Sequence, residues 1–421
     1  MIPKGVATFL PEGTSRRREI ERKILSLFCR WGYQEVITPI FEYLDVFSLG
    51  VGEELLNRAY KFVDRATGRM MVLRPDVTPQ IARIAATLLS DQPLPIRLCY
   101  SANVFRHEEE HAGREREIHQ IGGELIGPSD AEADAETISL AIEILQKLGL
   151  KSFKIVLGQM AFTRGILQPF ESSPASFKRI LGAVAKKDAS HLEALLKEEK
   201  VGPKIRKQSL SLLELFGGEE VFAAAKPLAA TPSCKAGLRR LREVYEILKQ
   251  AGHQEFLLID LGEVRGFDYY TGTIFEIFAE GAGSELGGGG RYDHLLEKFG
   301  ALSSSTGFAL HIERIQWALE QVAGSDRDYS SADFLVLHTA EAALEAMSLS
   351  HQLRDAGYRV IRRNGYHGTV ESYLSDARKQ KVEKILLLTG RGDRNIRSID
   401  VRTGRQESQN QPDFMKRLRS S

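Results

Sequence analysis

Residues 104–127 read VFRHEEEHAGREREIHQIGGELIG, and how that stretch divides decides the fold. The runs on either side of its charged centre are IRLCYSANVF (96–105) and IHQIGGELIG (118–127). Both are rich in β-branched and aromatic residues, and Gly113 lies between them, a pattern that predicts a long antiparallel hairpin. In the second run Gln120, Gly122 and Glu124 recur at spacing two and so share one strand face, a polar floor with a small residue in its middle. The tip of the hairpin poses a chemical puzzle. Arg106, Arg114 and Arg116 suit a grip on anionic oxygen, yet Glu108, Glu109 and Glu110 stand among them.

Outward from the hairpin, the segments alternate between strand and helix signals. SRRREIERKILSLFCRW (15–31) puts Ile20, Ile24, Leu27, Phe28 and Trp31 on one helical face, with Gly32 as its stop. EVITP and RMMVLRP read as strands closed by prolines, and TPQIARIAATLL as a helix with Pro79 in its first turn. Residues 130–150 form a helix with acid at its start and lysine near its end, matching the helix dipole. Residues 160–252 change character to amphipathic helices and read as an inserted helical subdomain. Strands return in EFLLID, GTIFEIFAE, ELGGGGRY and TGFAL, followed by the helix HIERIQWALEQV. The expected architecture is α+β: a core over residues 1–322 with an antiparallel sheet flanked by helices, a polar linker at 323–332, and a small α/β domain over 333–421 with a partly parallel sheet.

The bulk numbers narrow the function classes. A chain of 421 residues is too long for one small core. With 43% hydrophobic and 27% charged residues it has an ordinary globular composition. A formal net charge of +1 gives no global field to attract nucleic acid or membrane, so any anion site must be local. The N-terminal residues show no signal-peptide pattern and no stretch approaches 18 apolar residues, so a cytoplasmic protein without a membrane span is expected. Cys29, Cys99 and Cys234 are scattered and odd in number, which predicts buried reduced thiols and neither a disulfide framework nor a metal cluster. No metal or cofactor is expected.

Several side chains carry candidate chemistry. Arg106 ends a strand, and Arg314 lies in the first turn of a helix after a strand; two such arginines can chelate phosphate oxygens. GGGGRYD (287–293) lets backbone approach a ligand closely. Asp76 and Thr78 follow a strand two residues apart. VRGFDYYTG (264–272) gathers Arg265, Asp268, Tyr269 and Tyr270; adjacent tyrosines on a strand would point to opposite faces, so one of the two would line a pocket.

Taken together and in this order, these motifs resemble the class II aminoacyl-tRNA synthetase core, in its histidyl-tRNA synthetase branch. FRHEEEHAGREREIHQ resembles the second class motif, TGFALHIER the third, and GYQEVITPIFE lies where the first belongs. VRGFDYY and GGGGRYD resemble the two histidine-specific signatures, and residues 333–421 resemble the anticodon-binding domain. The resemblance implies that Asp76, Thr78, Gln120, Glu124, Arg265, Tyr269 and Tyr270 fall on histidine-pocket positions. Asp76 stands where the family has a glutamate, one methylene longer. It also implies that Arg106, Glu108 and Arg314 are vestiges of a nucleotide site, with Arg106 at the α-phosphate position and Arg314 at the γ-phosphate position.

The word vestige rests on departures from that family. Its loop reads Arg-Pro where this chain has Glu109-Glu110. A carboxylate about 7 Å from a phosphate costs ~0.6 kcal/mol in bulk water and ~2.4 kcal/mol at an effective dielectric near 20. His311 replaces a glycine of the third motif and would intrude on nucleotide space. LRPDVTPQIARIAAT, QIGGELIGPSDAEADAE, KKDASHLEALL and LLELFGGEEVF are similar instead to the synthetase-like regulatory subunits of ATP phosphoribosyltransferase. That likeness implies a chain with no catalytic residues of its own. It would activate a short-form catalytic subunit in the first step of histidine biosynthesis, assemble as a hetero-oligomer, and take histidine as a ligand. Homodimerisation through residues 15–45 is implied as well, and nucleic acid is not expected as a partner. The retained Arg265 and C-terminal domain support the second reading, an active histidyl-tRNA ligase.

Overall fold

The structure is a computed structural model that describes the chain apart from residues 1, 108–114, 265–268, 324–331, 367–369, 391–394 and 420–421. The tip of the opening hairpin, with Glu108, Glu109 and Glu110, and the segment holding Arg265 therefore lie outside the described residues. The chain divides into two compact units, Met1–Ala323 and Gly324–Ser421.

The first unit is built on a nine-stranded sheet. Its order is Gln34–Glu35, Ile96–Phe105, Glu117–Gly127, Ser304–His311, Gly287–Arg291, Thr273–Ala279, Phe153–Gln159, Leu257–Asp260, Phe216–Gly217. The strands of the opening hairpin pair antiparallel, with Tyr100 opposite Gly122 and Leu98 opposite Glu124. The sheet expected to be antiparallel contains two parallel pairs. Gln34–Glu35 runs parallel to Ile96–Phe105, and Phe153–Gln159 runs parallel to Leu257–Asp260. The second pair has a simple cause: the helical segment between those strands acts as a crossover, and a crossover returns the chain in the same direction.

Alternation along the strands separates two faces. Ile121, Phe275, Ile277, Phe308 and Leu310 point into the main core, where they meet Ile20, Ile24, Leu27 and Phe28 of helix Pro11–Arg30 and Ile138, Ile142 and Leu145 of helix Ala131–Leu148. Asp130 caps the second helix by accepting from Ala133 N at 2.9 Å. Ile180, Leu192, Leu196 and Leu241 of the helical segment belong to the same continuous core, and Phe216–Gly217 from that segment adds the last strand of the sheet. The segment is thus packed into the sheet's own core and is not a separate layer. Leu98, Tyr100, Val104, Ile118, Ile126 and Ile274 point to the opposite face, with Val77 and Ile81. Gln120, Gly122 and Glu124 share that second face, as their spacing requires.

The expectation of three buried thiols fails at Cys29. Cys99 and Cys234 are buried, whereas Cys29 is exposed, one residue past the buried Phe28 and hence off the apolar stripe of its helix. All three are free. Among the described residues no helix is long and apolar enough to cross a membrane.

The second unit has a sheet of order Val360–Asn364, Ala332–His338, Val382–Leu388, Asn395–Asp400, Gln406–Asn410. The first three strands are parallel and the last two antiparallel. Apolar clusters around Phe334 and Leu386, and around Leu335 and Ile385, cover its two faces. The basic segment after residue 394 supplies the strands Asn395–Asp400 and Gln406–Asn410. Ile396 and Ile399 anchor the first of them, but their spacing of three hides the strand period.

The glycine run at 287–290 is a packing requirement. A Cβ on Gly289 would sit 2.0 Å from Gly307 O and 2.7 Å from the Phe308 Cα, backbone that cannot move aside without breaking the sheet. Gly289→Ala is expected to destabilise the first unit by about 3 kcal/mol, as overpacking of a closed core does, read as a lowered urea midpoint at unchanged m-value.

Candidate functional site

A cavity of about 160 Å³ opens on the second face of the large sheet, and the sequence-predicted residues converge on it. Asp76, Thr78, Arg106, Gln120, Glu124, Tyr269 and Tyr270 all line it. They arrive from four places. Asp76 precedes, and Thr78 begins, the helix Thr78–Thr87; Arg106 follows the strand Ile96–Phe105; Gln120 and Glu124 come from its partner strand; the tyrosines come from the loop before Thr273. Arg314 does not line the cavity, and Glu108 and Arg265 lie outside the described residues.

The site is built around two buried acids. Asp76 is 3% exposed and Glu124 1%. Asp76 accepts from Val77 N at 2.9 Å and from Tyr269 OH at 2.8 Å. Glu124 accepts from Thr78 Oγ1 at 2.7 Å and from Tyr292 OH. Burial pushes both carboxyls up from their ordinary range. For Asp76 the neighbouring Arg106 and the Tyr269 hydroxyl oppose the rise. Glu124 is pushed up to about 8 by burial, against its two hydroxyl donors and with the help of Asp76. Among the described residues the wall carries the acids Asp76, Glu124, Glu276 and Glu285 and the guanidinia of Arg58 and Arg106.

Three features differ from the sequence reading. The small residue between Gln120 and Glu124 leaves no room for a ligand, because the Tyr100 phenol fills it: a Cβ on Gly122 would sit 2.5 Å from Tyr100 Oη. Tyr269 and Tyr270 do not lie on a strand, so they are not forced to opposite faces. Both are buried, both line the cavity, and their ring centroids are 4.8 Å apart. Arg314 is already occupied by acid. Its Nη1 donates to Glu285 Oε1 at 2.6 Å and to Glu285 O at 2.8 Å, and its Nε lies 3.5 Å from Glu115 Oε2.

Some residues of the site escaped notice in the sequence. Tyr292 was visible only as part of GGGGRYD. Its neighbour Arg291 turns the other way and donates from Nε to the buried Asp134 at 2.8 Å. That places Tyr292 over Glu124. His311, singled out as an intruder, is the last residue of its strand, buried on the cavity wall, with Nε2 3.2 Å from Gln120 Nε2. Gln120 Oε1 is buried with no hydrogen-bond partner among the described residues, an acceptor in want of a donor. Arg106 keeps its place on the wall, its Nε donating to Pro75 O at 2.9 Å.

The raised acid has a measurable consequence. Folded Glu124 holds its proton up to about pH 8, while in the unfolded chain it is released near its ordinary value of about 4.3. Between those values the native state binds the extra proton, so ligand-free stability falls as pH rises through that window. Glu124→Gln mimics the protonated form. Its urea midpoint is expected to stay flatter than wild type from pH 5 to 8, with the gap between the two proteins widening toward pH 8.

The comparisons with known proteins agree with this geometry. The family model described as Histidyl-tRNA synthetase matches residues 5–315. A protein of Geobacter metallireducens named ATP phosphoribosyltransferase regulatory subunit is 39% identical over 92% of this chain and 89% of its own length. One of the same name from Moorella thermoacetica is 41% identical over 86% of this chain and 91% of its own. A crystal structure from Bacillus halodurans, described as an ATP phosphoribosyltransferase regulatory subunit/histidyl-tRNA synthetase, superposes with a TM-score of 0.81 at 29% identity, covering 93% of this chain and 98% of that one. With a synthetase-like core whose arginine at the third motif is closed off by two glutamates, and relatives of that name along nearly its whole length, the chain belongs to the ATP phosphoribosyltransferase regulatory subunit family, a branch of the histidyl-tRNA synthetase-like proteins.

Proposed function

We propose that this protein is a non-catalytic regulatory and activating subunit of ATP phosphoribosyltransferase, acting in the first step of histidine biosynthesis as part of a hetero-oligomer with a short-form catalytic subunit. The observation that carries the reading is the contrast inside one site. The acids that would hold a cationic amino-acid group remain buried in the cavity, while Arg314, at the γ-phosphate position, is neutralised by Glu285 and Glu115. A phosphate entering there would have to displace two carboxylates and tolerate their repulsion. His311 further narrows the nucleotide side.

Histidine is the proposed ligand, held by Asp76, Thr78, Gln120, Glu124, Tyr269 and Tyr270, with Arg265 joining them by family position. Its α-ammonium suits the acidic wall, and an imidazole N–H would satisfy the orphan Gln120 Oε1. The second reading, an active histidyl-tRNA ligase, is supported by Arg106, which still reaches the cavity.

A homodimer through the first-motif region, residues 15–45, is also proposed. The face of Ile20, Ile24, Leu27 and Phe28 is consumed by the protein's own core. Trp31 is tied down by an Nε1 donation to Glu143 at 2.9 Å. The apolar side chains left exposed nearby are Ile37, Ile40, Phe41, Val63 and Met70, around the small sheet Phe41–Tyr43, Met70–Leu73 and Lys61–Val63. A standard dimer buries about 1,200–2,000 Å².

Calorimetry is expected to show histidine binding and no tight ATP binding, with Asp76→Asn and Glu124→Ala each weakening histidine about tenfold or more by leaving a charged ligand group unpaired. Histidine-dependent exchange of pyrophosphate into ATP is expected to be absent; robust exchange would establish the ligase reading instead. The isolated protein is expected to scatter light as a dimer at tens of micromolar, and Phe41→Glu with Val63→Glu to give a monomer. Mixing with the short-form catalytic subunit is expected to form a larger species of raised phosphoribosyltransferase activity, and failure on both counts removes the main reading.

A further inference from the structure

The chain leaves the large sheet at Asp260 and returns to the cavity at Tyr269, whose hydroxyl donates to Asp76. The root of that excursion is held by the helical segment between residues 160 and 256. Leu261 N donates to Leu215 O at 3.0 Å, and Leu261 O accepts from Thr163 Oγ1 at 2.8 Å. Asp260 Oδ1 accepts from Gly262 N at 2.8 Å and from Lys187 Nζ at 2.6 Å. Gly262 is wedged into the same corner: a Cβ there would sit 2.4 Å from Leu212 O and 2.6 Å from Lys187 Nζ.

Lys187 stands out in this cluster. It follows the helix Pro174–Ala185 and has φ +54°, a left-handed conformation that a residue with a Cβ adopts only at a cost. That backbone accompanies a side chain reaching across to a carboxylate that is 5% exposed. A surface ion pair between two exposed groups would do little. Here one partner is buried, so removing the lysine leaves the Asp260 carboxyl in a closed corner without its side-chain donor, with only the Gly262 amide still bonded to that oxygen. The corner must then rearrange, and it is the corner from which the tyrosine loop departs.

We propose that Lys187 is a positioning residue for the cavity. By neutralising Asp260 it fixes residues 261–264, and Val264 packs against the buried cluster that contains Tyr269 and Tyr270, so that the helical segment and the cavity are coupled. The binding part of this inference rests on the histidine reading given above; the loop-anchoring part does not.

The test uses the full chain with Lys187→Met and Lys187→Arg, measured two ways: calorimetric titration with histidine, and amide hydrogen exchange without ligand. Lys187→Met is expected to weaken histidine binding by about five- to tenfold. It should also speed exchange at residues 261–264 and 269–270 while leaving strands Ile96–Phe105 and Glu117–Gly127 protected as in wild type. Lys187→Arg should restore both. The proposal is overturned if Lys187→Met binds histidine as wild type does, or if its exchange rises equally through the sheet, which would mark general destabilisation. If wild type binds no histidine, the ligand reading fails and the exchange measurement still decides: a local rise at 261–264 upholds the anchoring role, and unchanged exchange there removes it.

Discussion

Asp76 and Glu124 are acids taken out of water, and the architecture of the site follows from the need to satisfy them. A buried carboxylate without donors is among the most expensive arrangements a fold can hold. Each therefore draws hydroxyls from distant parts of the chain: Tyr269 to Asp76, Thr78 and Tyr292 to Glu124. Those donors sit on a loop, a helix N-terminus and the end of the glycine strand. Satisfying two side chains thus fixes how three otherwise independent segments meet over one sheet face. Even so, the donors only partly offset the loss of water, which is why both acids remain pushed toward their neutral forms.

Another buried acid shows the contrasting solution. Asp134 is paired to Arg291, whose other donors go to the carbonyls of Pro128 and Asp130 and to Asp293. This charge has a permanent protein counter-ion and fastens the glycine strand to the helix Ala131–Leu148. Asp76 has Arg106 near it, and among the described residues Glu124 is held by the neutral hydroxyls of Thr78 and Tyr292. The difference separates a structural ion pair from two acids that, on the reading proposed above, receive a cationic group.

Much of this was legible in the sequence where a period or a stop signal is strong. The strands read at 96–105 and 118–127, the helices read at 15–31 and 130–150, and the shared face of Gln120 and Glu124 all follow from local pattern, with the structure shifting their ends by a few residues. On a strand, adjacent Tyr269 and Tyr270 would face opposite ways and only one need line a pocket; they precede the strand Thr273–Ala279, and off the strand alternation has no force, so both line the cavity. The two parallel pairs of the sheet depend on long crossovers that no local window sees. The acid partners of Arg314 could not be foreseen either, since Glu115 and Glu285 are far from it in sequence and only the folded sheet brings them together. Tyr292 was in plain view within its motif, but its role depends on Arg291 turning away from it toward Asp134.

The closed grip on Arg314 bears on metabolism. An arginine that carries its own counter-ions needs no nucleotide to hold its shape, and on the reading proposed above this chain does not respond to adenylate supply. Under the proposed reading, ATP acts on the assembly only as fuel, consumed by the partner chain, and the regulatory chain reports on the amino-acid pool alone. Placing fuel and signal on separate polypeptides lets end-product control hold steady through swings in energy charge, which a subunit that still bound both ligands would confuse.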